Sequence, residues 1–191
     1  MISESDLVEG VKRKDHAAFK KLVDQYQEMV LNTCYGFVHD VDDAKDLTQE
    51  VFIKIYDSIQ KFRGDAKLST WIYRISVNKS LNFIRADKKV KTTELDVLSR
   101  SSDSKLRVHH ESEQEDIEME QEQRSRILFK AIDSLNENQR IAFCLNKLDG
   151  ISYNEIGEIM NISLPAVESL IHRAKLNLQK KLIKYYKKNL N

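Results

Sequence analysis

The chain has 191 residues, enough for one or two domains that each bury a core, and its five glycines, single proline and many helix formers favour an all-α fold. No apolar run approaches the roughly 18 residues of a membrane span and the charged N-terminus lacks a signal-peptide core, so a cytoplasmic protein is expected. The formal net charge of +1 hides a local imbalance: Lys61–Lys89 carries +6, Glu111–Glu122 carries −7 and Ser163–Asn191 carries +6, as for two nucleic-acid-facing modules around an acidic middle.

Residues 3–13 read as a short helix capped near Ser3 or Ser5, and Asp15 can cap the next. Phe19, Leu22, Val23, Tyr26, Met29, Val30 and Phe37 then keep helical spacing and give that second helix a long core face. His39–Asp43 breaks the pattern. Asp42 can cap a third helix with the core stripe Leu47, Val51, Ile55, Ser58 or Ile59, and Phe62. Its opposite face gathers Asp46, Gln49, Glu50, Ile53 and Asp57. A solvated face usually mixes signs, whereas this one is acidic and amide-rich around an apolar side chain. It suits docking against a basic partner helix with Ile53 as anchor; the alternative is plain solvation.

A loop holding Gly64 leads into a fourth helix, expected from about Ser69 to Lys88, with Ser69 or Thr70 as its cap. Trp71, Ile75, Asn78, Asn82 and Arg85 form one stripe along it, apolar at the start and polar at the end. Cations interleaved with Phe62, Trp71, Tyr73 and Phe83 suit a nucleic-acid strand, because charges follow phosphates while rings stack on bases. An ordinary amphipathic helix with a basic solvated face is the competing reading.

Residues 91–123 have no aromatic and few apolar residues, and read as a flexible acidic linker. His109–His110 has no companion at zinc-site spacing, so the pair belongs to that linker. Helical pattern resumes at Arg124 with Ile127, Leu128, Ala131, Ile132 and Leu135. Asn136 with Gln139 resembles a capping box, and Asp149–Gly150 ends the helix that follows. Ser152 and Glu155 make a second capping box before a short helix in which Gly157 permits close approach. Asn161–Ser163 is a tight turn, and a long basic helix with Pro165 in its first turn follows. Short helix, turn and longer helix make a helix-turn-helix with Ser169, His172 and Arg173 near its exposed face; a plain helical hairpin is the alternative. Cys34 and Cys144 read as separate buried thiols. No phosphate loop, nucleophile–base set or paired carboxylate in an apolar pocket supports an enzyme, and no cofactor is expected.

The blocks DHAAFKKLVDQY, DAKDLTQEVFIKIY, FRGDAKLSTWIYRISVNKSLNFIR, LNENQRIAFCLNKLDGISYNEIGEIMNIS and AVESLIHRAKLNL, in this order, resemble bacterial RNA polymerase sigma factors of the extracytoplasmic-function (ECF) type. The resemblance implies two helical domains, region 2 in residues 1–90 and region 4 in residues 124–191, joined by the linker 91–123. It implies that Asp46, Gln49, Glu50 and Ile53 bind core RNA polymerase, through its β′ subunit, with β as a further contact. Phe62, Arg63, Lys67, Ser69, Thr70 and Asn78 would take the single-stranded −10 element. Ala166, Ser169, His172, Arg173 and Lys175 would face the duplex −35 element. An anti-sigma factor is a further implied partner, with no membrane contact by the chain itself. Glu168 departs from the basic character common early in the family's recognition helix; it repels phosphate but can accept from cytosine N4. A stand-alone helix-turn-helix regulator and a protein-interaction bundle are the competing readings. Neither needs both the Asp46–Asp57 face and the aromatic-basic segment.

Overall fold

The computed structural model describes residues 3–95 and 113–189. They form eight α-helices: α1 (Glu4–Lys12), α2 (His16–Val38), α3 (Val41–Ser58), α4 (Leu68–Leu95), α5 (Glu113–Asp133), α6 (Glu137–Lys147), α7 (Tyr153–Met160) and α8 (Leu164–Asn189). A single 3₁₀ turn, Ile59–Lys61, follows α3, and there is no strand among the described residues.

Most helix starts follow from local chemistry. Ser3 accepts from the Asp6 N–H, Asp15 from Ala17 and Asn136 from Gln139. Each satisfies a first-turn donor that the helix cannot pair itself. Ser152 and Glu155 close a complete capping box on α7. Gln139, by contrast, does not reach back to Asn136; its side-chain oxygen accepts from Asn177 on α8.

Two starts differ from expectation. The cap of α3 is Asp40, whose Oδ1 accepts from both Asp42 and Asp43 N–H groups; Asp42 lies inside the helix. Neither Ser69 nor Thr70 caps α4. That helix begins at Leu68, whose N–H donates to Glu4 Oε1 at 2.9 Å, so a side chain of α1 supplies the missing acceptor.

The first half packs α1 to α4 around Leu22, Val30, Cys34, Leu47, Val51, Ile55, Ile59, Leu68 and Ile72. The second half packs α5 to α8 around Ile132, Leu145, Ile156, Val167, Ile171 and Ala174. Phe37 of α2 and Tyr73, Val77 and Leu81 of α4 belong to the second cluster as well. The two halves therefore share apolar core, against the expectation of separable bodies. Each such side chain contributes about 1.5–3 kcal/mol over its exposed state. Helix also extends into both ends of the expected linker, to Leu95 and from Glu113; its middle, with His109–His110, lies outside the described residues.

Candidate polymerase and nucleic-acid interfaces

Asp46, Gln49, Glu50 and Ile53 are all exposed on α3. Ile53 is 61% exposed, unusual for an isoleucine without a partner. It rims an apolar cavity of about 640 Å³ with Phe19 and Val23 of α2 and Phe52 and Tyr56 of α3. Phe19 and Tyr56 meet edge to face at 5.0 Å and fix one wall. Gln49 lies on the rim. Glu50 is engaged across the domain by Lys79 of α4 at 2.8 Å, so it also ties α3 to α4. Sequence spacing identified the α3 half of this groove. It missed the α2 half because Phe19 and Val23 have ordinary core periodicity.

The expected −10 residues divide into two sets. Phe62 is 8% exposed and packs against Trp71 with ring centroids 5.4 Å apart, and Thr70 is 3% exposed. In this conformation both hold the loop rather than face solvent. Arg63 and Lys67 are exposed on that loop, and Ser69 is partly buried at the start of α4. Gly64 adopts φ +79°, in the left-handed region that glycine enters without strain. Asn78 is exposed, and its amide has no hydrogen-bond partner among the described residues. It lines a cavity of about 550 Å³ between α4 and the second half, with Arg74, Asn138, Ile141, Met160 and Asn161.

The helix-turn-helix is formed by α7 and α8. Asn161 ends α7 at φ +55°. A Cβ on Gly157 would sit 2.9 Å from the Ile162 carbonyl oxygen, so the turn closes only over glycine. Ser169, His172, Arg173 and Lys175 are exposed on α8, and Ala166 is partly buried among them. Arg173 Nε donates to the Ser169 carbonyl at 3.2 Å, folding its guanidinium along its own helix.

Polar contacts of long sequence range line the seam between halves. Arg140, 4% exposed, pairs with Asp133 at 2.7 Å and donates to the Phe37 carbonyl of α2. His39 stacks on Phe129 at 4.0 Å and reaches Asp133 at 3.2 Å. Arg74 of α4 donates to the Glu158 and Ile159 carbonyls of α7 at 2.5 and 3.2 Å. Arg85 grips Glu137 through Nη2 at 2.6 and 2.7 Å, and Lys67 meets Glu155 at 3.4 Å. Burial pushes the Asp149 carboxyl up to about 6, although the Thr33 hydroxyl partly offsets this. Burial likewise pushes the Cys144 thiol up to about 12 and raises Cys34, so both are protonated at neutral pH. No sequence signal marked Arg74, Arg140 or Asp149, because their partners lie in the other half.

Among the described residues there is no cluster of three or more potential metal-ligating side chains. Nor is any helix among them long and apolar enough to cross a membrane.

A helix bundle bearing an exposed apolar-acidic groove, followed by a helix-turn-helix, defines a transcription-initiation protein of the sigma-70 class: residues 22–90 match sigma-70 region 2 and residues 125–178 match sigma-70 region 4. Over 183 residues the chain is 35% identical to the ECF RNA polymerase sigma-E factor of Escherichia coli K12, covering 95% of each protein. It is 34% identical to the sigma-E factor of Haemophilus influenzae, covering 95% of this chain and 96% of that one. The chain belongs to the ECF family of RNA polymerase sigma factors. Its fold is similar to that of CnrH in complex with the cytosolic domain of CnrY, with TM-score 0.67, 19% identity and coverage of 95% and 97%. It is also similar to that of the sigma factor RpoE in complex with the anti-sigma factor NepR from Bartonella quintana, with TM-score 0.59, 21% identity and coverage of 86% and 96%. As a sigma factor it binds core RNA polymerase and promoter DNA and directs transcription initiation. It is a regulatory protein rather than an enzyme class of its own.

Proposed function

We propose a division of labour along the chain. Residues 1–90 dock on core polymerase and capture the −10 element, and residues 124–191 read the −35 element, with 91–123 as connector. The observation that carries this reading is the exposed Ile53 beside an apolar groove, on a face whose other members are Asp46, Gln49 and Glu50. An apolar anchor ringed by acidic and amide groups suits a basic helical element, and the β′ subunit of the polymerase is the partner assigned to it, with β as a second contact. Arg63, Lys67, Ser69 and Asn78 are the residues assigned to the melted −10 strand. Phe62 and Thr70 support that loop from beneath in the closed conformation. Asn78, an exposed amide without a protein partner, suits an extruded base. Ser169 and His172 are assigned to base edges in the −35 major groove, Arg173 and Lys175 to phosphates, and Ala166 to close approach.

The protein works in the cytoplasm, without a cofactor, and an anti-sigma factor restrains it. The solved complexes of CnrH with CnrY and of RpoE with NepR support the last assignment. The test is a pull-down of core polymerase followed by transcription from promoter variants. Charge and shape changes at Gln49, Glu50 and Ile53 should lower polymerase capture. Changes at Asn78 should alter −10 preference alone, and changes on α8 should alter −35 binding alone. If capture is unaffected by all three α3 substitutions, the face is merely solvated.

A further inference from the structure

We propose that the free chain inhibits itself: a reciprocal exchange of arginines holds the helix-turn-helix half over the strand-reading face of α4, and strand capture requires that lock to open. The proposal rests on the assignment of α4 to the −10 strand.

The last carbonyls of an α-helix have no partner within the helix and carry the negative end of its dipole. At the end of α2, the Phe37 carbonyl is taken by Arg140 from α6. At the end of α7, the Glu158 and Ile159 carbonyls are taken by Arg74 from α4. Each half supplies a terminal cation to a helix of the other. Neither contact survives separation. Arg140 is nearly fully buried, rests over the Phe37 ring at 5.6 Å and is held by Asp133, which also engages His39 of the first half.

The lock uses groups needed elsewhere. Lys67, Arg74 and Arg85 belong to the basic segment that would track phosphates, and all three are committed to carbonyls or carboxylates of the second half. Asn78 opens into the cavity roofed by Asn138, Met160 and Asn161. A strand cannot run along α4 while α7 lies across it. The α3 groove and the exposed side chains of α8 lie outside the seam. Polymerase can therefore engage Ile53 on the closed chain, while the −10 face stays covered. The rim pairs are solvent-exposed and individually weak, and Asp149 is desolvated at the seam, so the lock is openable.

The experiment uses the full chain and two readouts: radius of gyration by small-angle X-ray scattering, and binding of a fluorescent mixed-sequence single-stranded oligonucleotide. Arg140→Met keeps the apolar stem and removes the donors. Glu137→Arg, at an exposed position, sets like charges against Arg85. Both variants should expand the chain and tighten strand binding, by about tenfold if the closed form holds about nine-tenths of the molecules. Adding Arg85→Glu to Glu137→Arg should restore the compact radius. If Arg140→Met lowers helicity, Glu137→Arg decides alone. A wild-type chain already as extended as the variants, variants that remain compact, or expansion with no gain in strand binding would each overturn the lock. The α4 assignment stands or falls separately: it fails if Asn78→Ala leaves −10 preference unchanged in transcription by assembled holoenzyme, whatever the radius shows.

Discussion

Thr33 and Asp149 meet across the seam, with Thr33 Oγ1 3.0 Å from Asp149 Oδ2 and 2.9 Å from the Met29 carbonyl. The hydroxyl has one hydrogen and cannot donate to both acceptors. A protonated Asp149 resolves the conflict by donating into Thr33, which then donates to Met29. Burial favours the same neutral carboxyl and pushes its ionisation up to about 6 from an ordinary value of 3.8.

The sign of the pH dependence follows from that shift. Between about 4 and 6 the folded chain binds more protons at Asp149 than the unfolded chain, so this group's contribution is fully present below 3.8 and lost as pH rises through about 6. Asp149→Asn keeps a donor toward Thr33 without the charge. It should stabilise the protein by about 1–2 kcal/mol at pH 7 and have little effect at pH 4. Urea melts of both proteins at the two pH values check this; equal stability at pH 7 would remove Asp149 as a source of strain.

Ile53→Glu should weaken core-polymerase binding by about 1–3 kcal/mol while leaving the melting temperature unchanged, because the side chain is 61% exposed and supports no core. Fluorescence titration with core polymerase measures the first and calorimetry the second. Gln49→Ala with Glu50→Lys should act in the same direction and more strongly at low salt. Since Glu50 pairs with Lys79, the charge reversal also costs a small part of the α3–α4 contact.

Gly157→Ala tests the helix-turn-helix geometry. The added methyl group would press on the backbone oxygen of Ile162 at 2.9 Å, an atom that cannot swing aside. A loss of about 1–3 kcal/mol is expected in thermal unfolding, with weaker duplex binding at the −35 element. Retention of both would mean the turn relaxes freely.

Arg173 and Asn78 should separate by the kind of specificity they carry. Arg173 leaves its Ser169 carbonyl contact to reach a phosphate, so Arg173→Ala should weaken all −35 sequences alike. Asn78 is exposed and bonded to no protein group among the described residues, so Asn78→Ala should hold the melting temperature and change −10 preference. Randomised promoters read out both effects; a lowered melting temperature with intact −10 preference would make Asn78 structural.

The helices themselves were legible because their signals are local. Ser3, Asp15, Asn136 and the Ser152–Glu155 box lie next to the helices they start. Glu4 was invisible as the acceptor for α4, since it arrives from another helix 64 residues away. Phe62 satisfied two patterns, the end of the α3 core stripe and the aromatic-basic segment; packing against Trp71 puts it in the first. The exposed residues Asp46, Gln49, Glu50 and Ile53 emerged because an acidic face around an isoleucine violates ordinary surface patterning. The seam did not. Phe37, Tyr73 and Val77 have the same periodicity whether they cover their own half or the other, and Arg74 and Arg140 look like any surface arginine until their partners are placed.

The most direct measurement is promoter-specific transcription by core RNA polymerase reconstituted with the purified chain, run beside duplex binding by the chain alone. Initiation at a defined set of promoters should appear only when chain and core are combined, and Ile53→Glu should abolish it while leaving the chain folded. Promoter selection by the isolated chain equal to that of the holoenzyme, with no dependence on the α3 face, would contradict the assignment of Ile53 and its neighbours as the dock through which this sigma factor directs the polymerase.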